Sequence, residues 1–390
     1  MSPHLEESAR ARLEVEIVSD PAKLEAFEAA WRELAVARAN AFVTPEWFLA
    51  WHRHYGPEHE PLVCAVRGPA GDLRGVLPLV LARNRPRTVR FAGSALGDHF
   101  HPAASEDEEE LVASAAARAL RACDRRWSAI VLENVGADAA WWRELSQRDG
   151  LAPVIDRSSV LPYARLADRS WNEYMASRSR NLRSQVARRL RALERHHHVR
   201  VRWTGAVDRV TADMESLFRL HDARWQARTG ESSLTSERAR AFHADFASLA
   251  HRRGWLRLCF LDVDERPVAA WYGWRIGERF AYYQAGFDPA WADRSVGFVL
   301  FAQTIRSAAE ENAAEYDMLL GDEPFKARFA DSERRVCTVL IAPRMAPARL
   351  LAIGETRLRR AASRLPHGLR ESAKRYARAL LDRLPMARRR

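Results

Sequence analysis

The sequence predicts an α/β (α+β) chain of two units, each a mixed, mostly antiparallel sheet flanked by helices, followed by a basic helical tail. Three observations carry this expectation. Alternating apolar runs bounded by turn residues read as antiparallel hairpins. Amphipathic segments of helical period are interspersed among them, and a second half of the chain repeats the mixture. The 390 residues exceed one ordinary domain and suit two. The expected units are 13–166, 167–343 and a tail at 344–390.

The elements follow in order. A strand is expected at 13–19, then a helix from Pro21 to Arg38, with Pro21 at its start and Asp20 able to cap it. A second helix follows Thr44-Pro45 and carries Trp47, Phe48 and Trp51. Strands at 61–67, 73–82 and 88–92 are separated by turn chemistry such as Gly68-Pro69-Ala70-Gly71-Asp72. A helix at 108–124 begins in the acidic run Glu106–Glu110, where negative charge suits a helix start. A strand at 127–133 and a further helix and strand end this half near Leu166.

The second half opens with a helix at 170–177 and a long basic helix at 179–198. A strand at 199–203, helices at 207–228 and 235–253, and strands at 255–263, 266–276 and 279–285 follow, with tight turns at Asp264-Glu265 and Gly277-Glu278. A helix at 295–313, a strand at 315–320, a short helix at 323–329 and a strand at 334–342 complete it. Pro343 and Pro347 mark the boundary with the tail.

Composition excludes several classes. Hydrophobic residues make up 47% and charged residues 29%, the balance of a soluble folded chain. No run of about 18 uncharged apolar residues is present, so no spanning helix is expected. Residues 1–12 do not read as a signal peptide, and the expected location is the cytoplasm. Cys64, Cys123, Cys259 and Cys337 are scattered, which argues against disulfides or structural zinc. Adjacent His196, His197 and His198 point different ways on a helix and suit a metal poorly. No metal is expected.

The net charge of +11 suggests nucleic acid until it is located. Residues 344–390 hold 14 basic and 3 acidic side chains, an excess equal to that of the whole chain. The body is therefore neutral, and no specific nucleic acid is expected as a partner. In the tail, Leu369, Tyr376, Leu380 and Leu384 share a face apart from Arg370, Lys374, Arg375, Arg378 and Arg383. Such a helix suits an anionic membrane surface or a protein partner equally.

The most informative stretch runs from Tyr282 to Leu300. A strand ends, a loop with Gly286, Pro289 and Arg294 follows, and a helix starts with Ser295 at the cap position. Unpaired amides at such a start form an anion site, and Gly297 in the first turn admits close approach. An ordinary capped helix is the alternative. No G-x-G-x-x-G or P-loop pattern occurs.

This stretch resembles the C-terminal GNAT domain of CelD/BcsL-type acetyltransferases, relatives of the FemAB-type transferases with two GNAT-like halves. The residues that carry the resemblance are Gln284–Leu300, then Tyr316–Lys326, the helix Leu220–Trp225 and the basic segment Ser179–Arg183. It extends weakly to Gly97-Asp98-His99-Phe100-His101-Pro102. The resemblance implies two GNAT-like domains and acyl transfer from acetyl-CoA or another acyl-CoA to a small-molecule or saccharide acceptor, such as a polysaccharide or cell-envelope precursor. It implies that Gln284, Arg294, Ser295, Val296, Gly297 and Phe298 face the cofactor, through the pattern [RQ]-x-x-G-x-[GA]. Arg294 and Gly297 match it. Val299 stands where the pattern has a small residue, which would crowd the backbone and leaves a different acyl donor open.

Acyl transfer needs a proton acceptor, a polarised carbonyl and a proton donor to the leaving sulfur. Candidate catalytic residues are Asp288, Asp317, Asp322, Lys326, Tyr283 and His221, with Tyr282 as the alternative tyrosine. Asp288 equally serves a turn before Pro289, and Asp322 a helix cap. Lys326 stands out because the chain holds only three lysines, Lys23, Lys326 and Lys374. His221 shares a helix face with Trp225. Asp98, Arg180, Arg183, Trp225 and Glu323 are the candidate acceptor-binding residues. Aminoacyl transfer from a charged tRNA, and a non-catalytic nucleic-acid or membrane-binding protein, are the competing functions.

Overall fold

The computed structural model describes residues 13–84, 86–123, 127–146, 150–226, 234, 236–321, 323–347, 349, 350, 352 and 353. Asp322 and the amphipathic segment of the tail lie outside the described residues.

The first half comprises β1 (Glu14–Val18), α1 (Glu28–Ala37), α2 (Pro45–Tyr55), β2 (His59–Arg67), β3 (Leu73–Ala82), β4 (Thr88–Phe91), β5 (Ala103–Ala104), α3 (Glu109–Ala122), β6 (Ala129–Gly136), α4 (Trp141–Glu144) and β7 (Leu151–Arg165). The second comprises α5 (Trp171–Ala176), α6 (Arg180–Glu194), β8 (Val199–Trp203), α7 (Val210–Gln226), α8 (Glu237–Arg252), β9 (Leu256–Val263), β10 (Arg266–Ile276), β11 (Arg279–Phe287), α9 (Val296–Glu310), β12 (Glu315–Asp317), α10 (Lys326–Phe329) and β13 (Ser332–Pro343). The expected mixed, mostly antiparallel α/β architecture is the one observed.

Local chemistry sets the boundaries. Thr44 accepts from the Trp47 amide at 3.2 Å, and Pro45 occupies the first turn of α2. The helix expected from Pro21 divides into a 3-10 turn, Pro21–Ala26, and α1. Asp264 and Glu265 both take positive φ, as the two-residue β9–β10 hairpin requires.

One sheet unites the halves, in the order β1-β2-β3-β4-β6-β13-β7-β12-β11-β10-β9-β8, with β5 paired to β3. The order is a palindrome about β13 and β7. Each half supplies the same series, and the last strand of each half in sequence lies beside the other half. β13 pairs antiparallel with β6, while β7 pairs with β12. β7 and β13 also pair with each other from Ser332↔Tyr163 to Pro343↔Leu151.

The two faces of the second half differ in what covers them. Alternation sends Trp271, Phe280 and Tyr282 toward α9 and α6, and Tyr272, Trp274 and Tyr283 toward the first half. There Trp47 of α2 meets Phe242 and Phe246 of α8 edge-on, at 4.8 and 5.0 Å between centroids. Buried Glu46 accepts from Arg253, the C-cap of α8, at 2.8 Å and also pairs with Arg32. This apolar, ion-paired seam fixes the halves together.

Candidate active site

β11 and β12 run parallel and pair only over Arg279–Ala281 and Glu315–Asp317. Beyond that, β11 continues to Phe287 with no strand partner on this edge among the described residues, so the sheet splays. A cavity of about 670 Å³ lies at the splay, walled by Tyr282, Ala285, Gly286 and Phe287 of β11 and by Glu323, Pro324 and Phe325 of the β12–α10 loop. Its floor is apolar. Trp271 donates to Tyr316 Oη at 2.8 Å, and Phe301 packs edge-on to Tyr282.

The start of α9 faces this cavity through Ser295, Val296, Gly297 and Phe298. Ser295 is indeed the N-cap residue, but it takes left-handed φ/ψ of 56° and 41°, and no side chain caps the helix. The first-turn amides therefore have no intrahelical partner and, among the described residues, no side-chain partner. The helix mouth is unplugged. Val299 points the other way, buried in the core at 2% exposure, so it does not crowd the mouth. Arg294, expected beside it, is exposed and lies 4.9 Å over Trp291. The guanidinia that line the cavity belong to Arg189, Arg224 and Arg328.

Gly286 explains how Arg224 arrives. A Cβ at 286 would overlap the backbone of Leu220 and His221, so glycine lets α7 lie directly on β11. One turn on, Arg224 donates to Ala285 O at 3.2 Å and to Glu323 Oε1 at 3.4 Å. Glu323 Oε2 is 3.1 Å from Lys326 Nζ, which donates to Leu320 O at 2.6 Å and sits 5.1 Å over the Tyr282 ring. Gly321, at φ 139°, leaves room for both side chains. The Leu320 amide in turn donates to Asp98 Oδ2 at 3.2 Å. A charged chain thus runs from Arg224 through Glu323 and Lys326 to Asp98 of the first half.

Burial raises the Glu323 carboxyl, but Lys326 and then Arg224 outweigh it, and its pKa lies below the ordinary value. Burial lifts Asp98 to about 7 against the opposing charge of Lys326. Tyr282 is pushed to about 12 by burial, reinforced by Glu323, so it holds its proton at neutral pH.

The other candidates fall elsewhere. Tyr283, on the opposite face from Tyr282, donates to Leu96 O at 2.6 Å in the seam between the halves. Asp288 caps the 3-10 turn Pro289–Arg294 by accepting from Ala290 N at 3.0 Å. Asp317 is buried, raised by that burial, and bonded to Leu319 N and Arg334. His221 is buried behind Gly286, hydrogen-bonded to Gln284 and lowered to about 4, first by burial and then by Arg224. Trp225 is half-buried near His221, with ring centroids 6.0 Å apart. Arg180 is exposed, and Arg183 donates to the Ala176 and Arg178 carbonyls before α6. No group of three or more His, Cys, Asp or Glu suited to a metal occurs among the described residues.

Residues 180–327 match the family model for the Acetyltransferase (GNAT) domain. The match spans the basic helix, the unplugged helix mouth and the Glu323–Lys326 pair. No curated protein sequence matches the chain. Among solved structures, FemX aligns with a TM-score of 0.60 at 12% identity, over 88% of this chain and 100% of that one. The C-terminal domain of a putative lysylphosphatidylglycerol synthetase from Agrobacterium fabrum gives 0.55 at 10% identity, over 86% and 95%. L-PGS from Bacillus licheniformis gives 0.52 at 14%, over 88% and 98%. These likenesses concern the fold.

The region matched by that model has a counterpart in the first half, where β4 and β6 also pair in parallel for two residues and then part. That splay is filled. Phe100 bridges to Val135, its amide donates to Asn134 O at 3.0 Å, and Asn134 Nδ2 donates to Gly97 O at 2.8 Å. Phe91, Phe100 and Trp141 pack there, all at 1% exposure or less. The counterpart of α9 is α3, whose first turn holds Glu109 and Glu110 after Glu106–Glu108. Carboxylates there repel an anion. The second half carries the open site, and the first half lends it Asp98.

Proposed function

We propose that this protein transfers an acyl group from an acyl-CoA to an amine or hydroxyl of a saccharide or cell-envelope precursor. The observation that supports this most is the unplugged mouth of α9 at a cavity lined by three arginines and Gly297. Those residues fit a CoA carrier: free helix-start amides for its diphosphate, guanidinia for its remaining charged and polarised oxygens, and an apolar floor for the arm beyond. When bound, the carrier supplies the activated thioester.

The chain's own groups then divide the work. Glu323, kept ionised by Lys326 and Arg224, accepts the acceptor's proton. Arg224 lends positive charge and N–H donors where the carbonyl oxygen gains charge. Tyr282, protonated at neutral pH, donates to the departing sulfur. Lys326 and Asp98 act through Glu323 by fixing its position and charge. The CelD/BcsL-type likeness of the motifs supports a saccharide acceptor, and the protonated tyrosine suits any thioester.

Calorimetry on the full chain with CoA, acetyl-CoA and longer acyl-CoAs tests the donor, and thiol release against sugars, amino acids and amines tests the acceptor. Absence of binding by every CoA species refutes the proposal. A second reading, aminoacyl transfer from a charged tRNA, draws on the exposed arginines of α6, among them Arg180, Arg188 and Arg191. Activity that survives ribonuclease treatment refutes that reading. We further propose that the tail bears on a membrane surface from the cytoplasmic side. No helix among the described residues is long and apolar enough to cross one. An unchanged vesicle-bound fraction after deletion of 346–390 refutes the tail's role.

A further inference from the structure

Arg189 and Arg328 line the cavity beside one aromatic ring. Arg189 of α6 lies 4.9 Å over Phe298, and Arg328 of α10 lies 5.7 Å from the same ring. Arg328 is held there by Gln185 of α6, to which it donates at 3.0 Å. Gln185 is neutral, so this bond fixes direction without cancelling charge.

The pair is unlike the other half-buried arginines of the second half. Arg202 pairs with Asp213 and Asp262, Arg240 with Asp222, and Arg334 with Glu315. Among the described residues, neither Arg189 nor Arg328 has a carboxylate within 4.0 Å. Burial, then Arg188 and Arg328, depress Arg189, the cost of gathering like charges in a partly desolvated place. Two guanidinia held together without an acid form a receptor for a dianion. The first-turn amides of α9 are a second donor set on the same cavity, and they can hold a diphosphate without the two guanidinia.

We infer that Arg189 and Arg328 form a phosphomonoester subsite that engages the 3′-phosphate of a CoA carrier, distinct from the diphosphate site at the start of α9. The inference rests on the proposed CoA donor. Phe298 beside both guanidinia, and the Gln185 bond on Arg328, restrict how the two side chains are placed, so both can donate to one phosphate. The subsite makes the enzyme select CoA over carriers that end in a free ribose or in pantetheine phosphate.

The test is calorimetry on the full chain with CoA and with 3′-dephospho-CoA, for wild type, Arg189→Ala and Arg328→Ala. Wild type is expected to bind CoA at least about tenfold more tightly, which corresponds to one charge-assisted contact. Each variant is expected to bind CoA at the dephospho level while its affinity for dephospho-CoA stays constant. Both side chains are half-exposed, so thermal unfolding is expected to stay within about 2 °C of wild type and to certify folding. Wild type that binds both carriers alike, or variants that weaken both equally, overturns the subsite and leaves the donor reading intact. Wild type that binds neither carrier overturns the donor reading and this inference with it. Adenosine 3′,5′-bisphosphate is expected to displace CoA from wild type at lower concentration than adenosine 5′-monophosphate does, and equal displacement by the two also refutes the subsite.

Discussion

Gly297→Ala separates the ligand's demand from the fold's. Gly297 is the second residue of α9, and a Cβ built there meets only Phe287, at 3.4 Å and 3.9 Å, ordinary van der Waals contact. The backbone is helical, so alanine suits it and removes freedom from the unfolded chain. The expected gain is up to about 0.5–1 kcal/mol of stability. The same methyl stands at the cavity wall beside the first-turn amides, where it holds an anion off the backbone. Loss of one charge-assisted hydrogen bond costs roughly 1.5–3 kcal/mol, or about 10- to 100-fold in Kd. Thermal unfolding and CoA calorimetry on the same preparation read both effects. The expected result is a melting temperature equal to or above wild type with weakened CoA binding. Unchanged affinity in a stable variant refutes the placement of the diphosphate at this helix. A lowered melting temperature refutes the packing argument.

Val299→Ala is expected to do the reverse: about 2 kcal/mol of stability is lost from the buried core, while CoA affinity stays within about twofold. A large change in affinity would mean that Val299 crowds the mouth after all. Tyr283→Phe, which removes the bond to Leu96 O, is expected to cost about 1 kcal/mol and leave the rate constant unchanged, whereas Tyr282→Phe lowers it. A rate loss in Tyr283→Phe would return that hydroxyl to the chemistry. Asp98 carries a pH signature: with a folded pKa of about 7 against 3.8, the native state holds a proton that the unfolded chain has lost between those values. Stability from this site therefore falls as pH rises from about 4 to 7, and urea titrations of Asp98→Asn are expected to show a flatter profile. Parallel profiles for variant and wild type would contradict it. Residues 13–166 and 167–343, expressed apart, are expected to lack a cooperative unfolding transition by circular dichroism and to regain one when mixed, because β13 and β7 each complete the other half. A cooperative transition in either piece alone is the contrary result.

Local signals were legible where local physics decides. The strands 73–82, 199–203 and 266–276 have the bounds that alternation and turn residues indicate, since both are properties of neighbours in sequence. Lys326 stood out by its rarity and lies buried behind the cavity wall, paired with half-buried Glu323. The capping role read for Ser295 failed in detail, because the 3-10 turn from Pro289 to Arg294 delivers Ser295 in a left-handed conformation. Pairing partners were not legible: β13 reads as an ordinary strand of period two, and nothing in that period says which half it joins. Arg189 belongs to the basic helix legible in the sequence, whereas Arg224 and Arg328 were hidden by the chain's reliance on arginine, which removes contrast. Two clues were present, however. Arg224 lies one turn from His221 on the helix pressed against Gly286, and Arg328 follows Lys326 by two residues.

The palindromic sheet also accounts for the unequal fates of its two splays. In the first half, residues 97–100 fill the gap beside β6, and this fixes the backbone that carries Asp98 across to the Leu320 amide. An open first splay would leave that segment without the Asn134 bonds that hold it. Closing one cavity is thus the means by which the other acquires a group from outside its own half. The exchanged strands make the placement rigid, because any shift between the halves must break pairing along the full length of β7 and β13. The charge on Glu323 then depends on contacts from both halves, through Lys326 and the Asp98-bonded loop. A change in the seam, far from the cavity, is expected to register at the carboxylate.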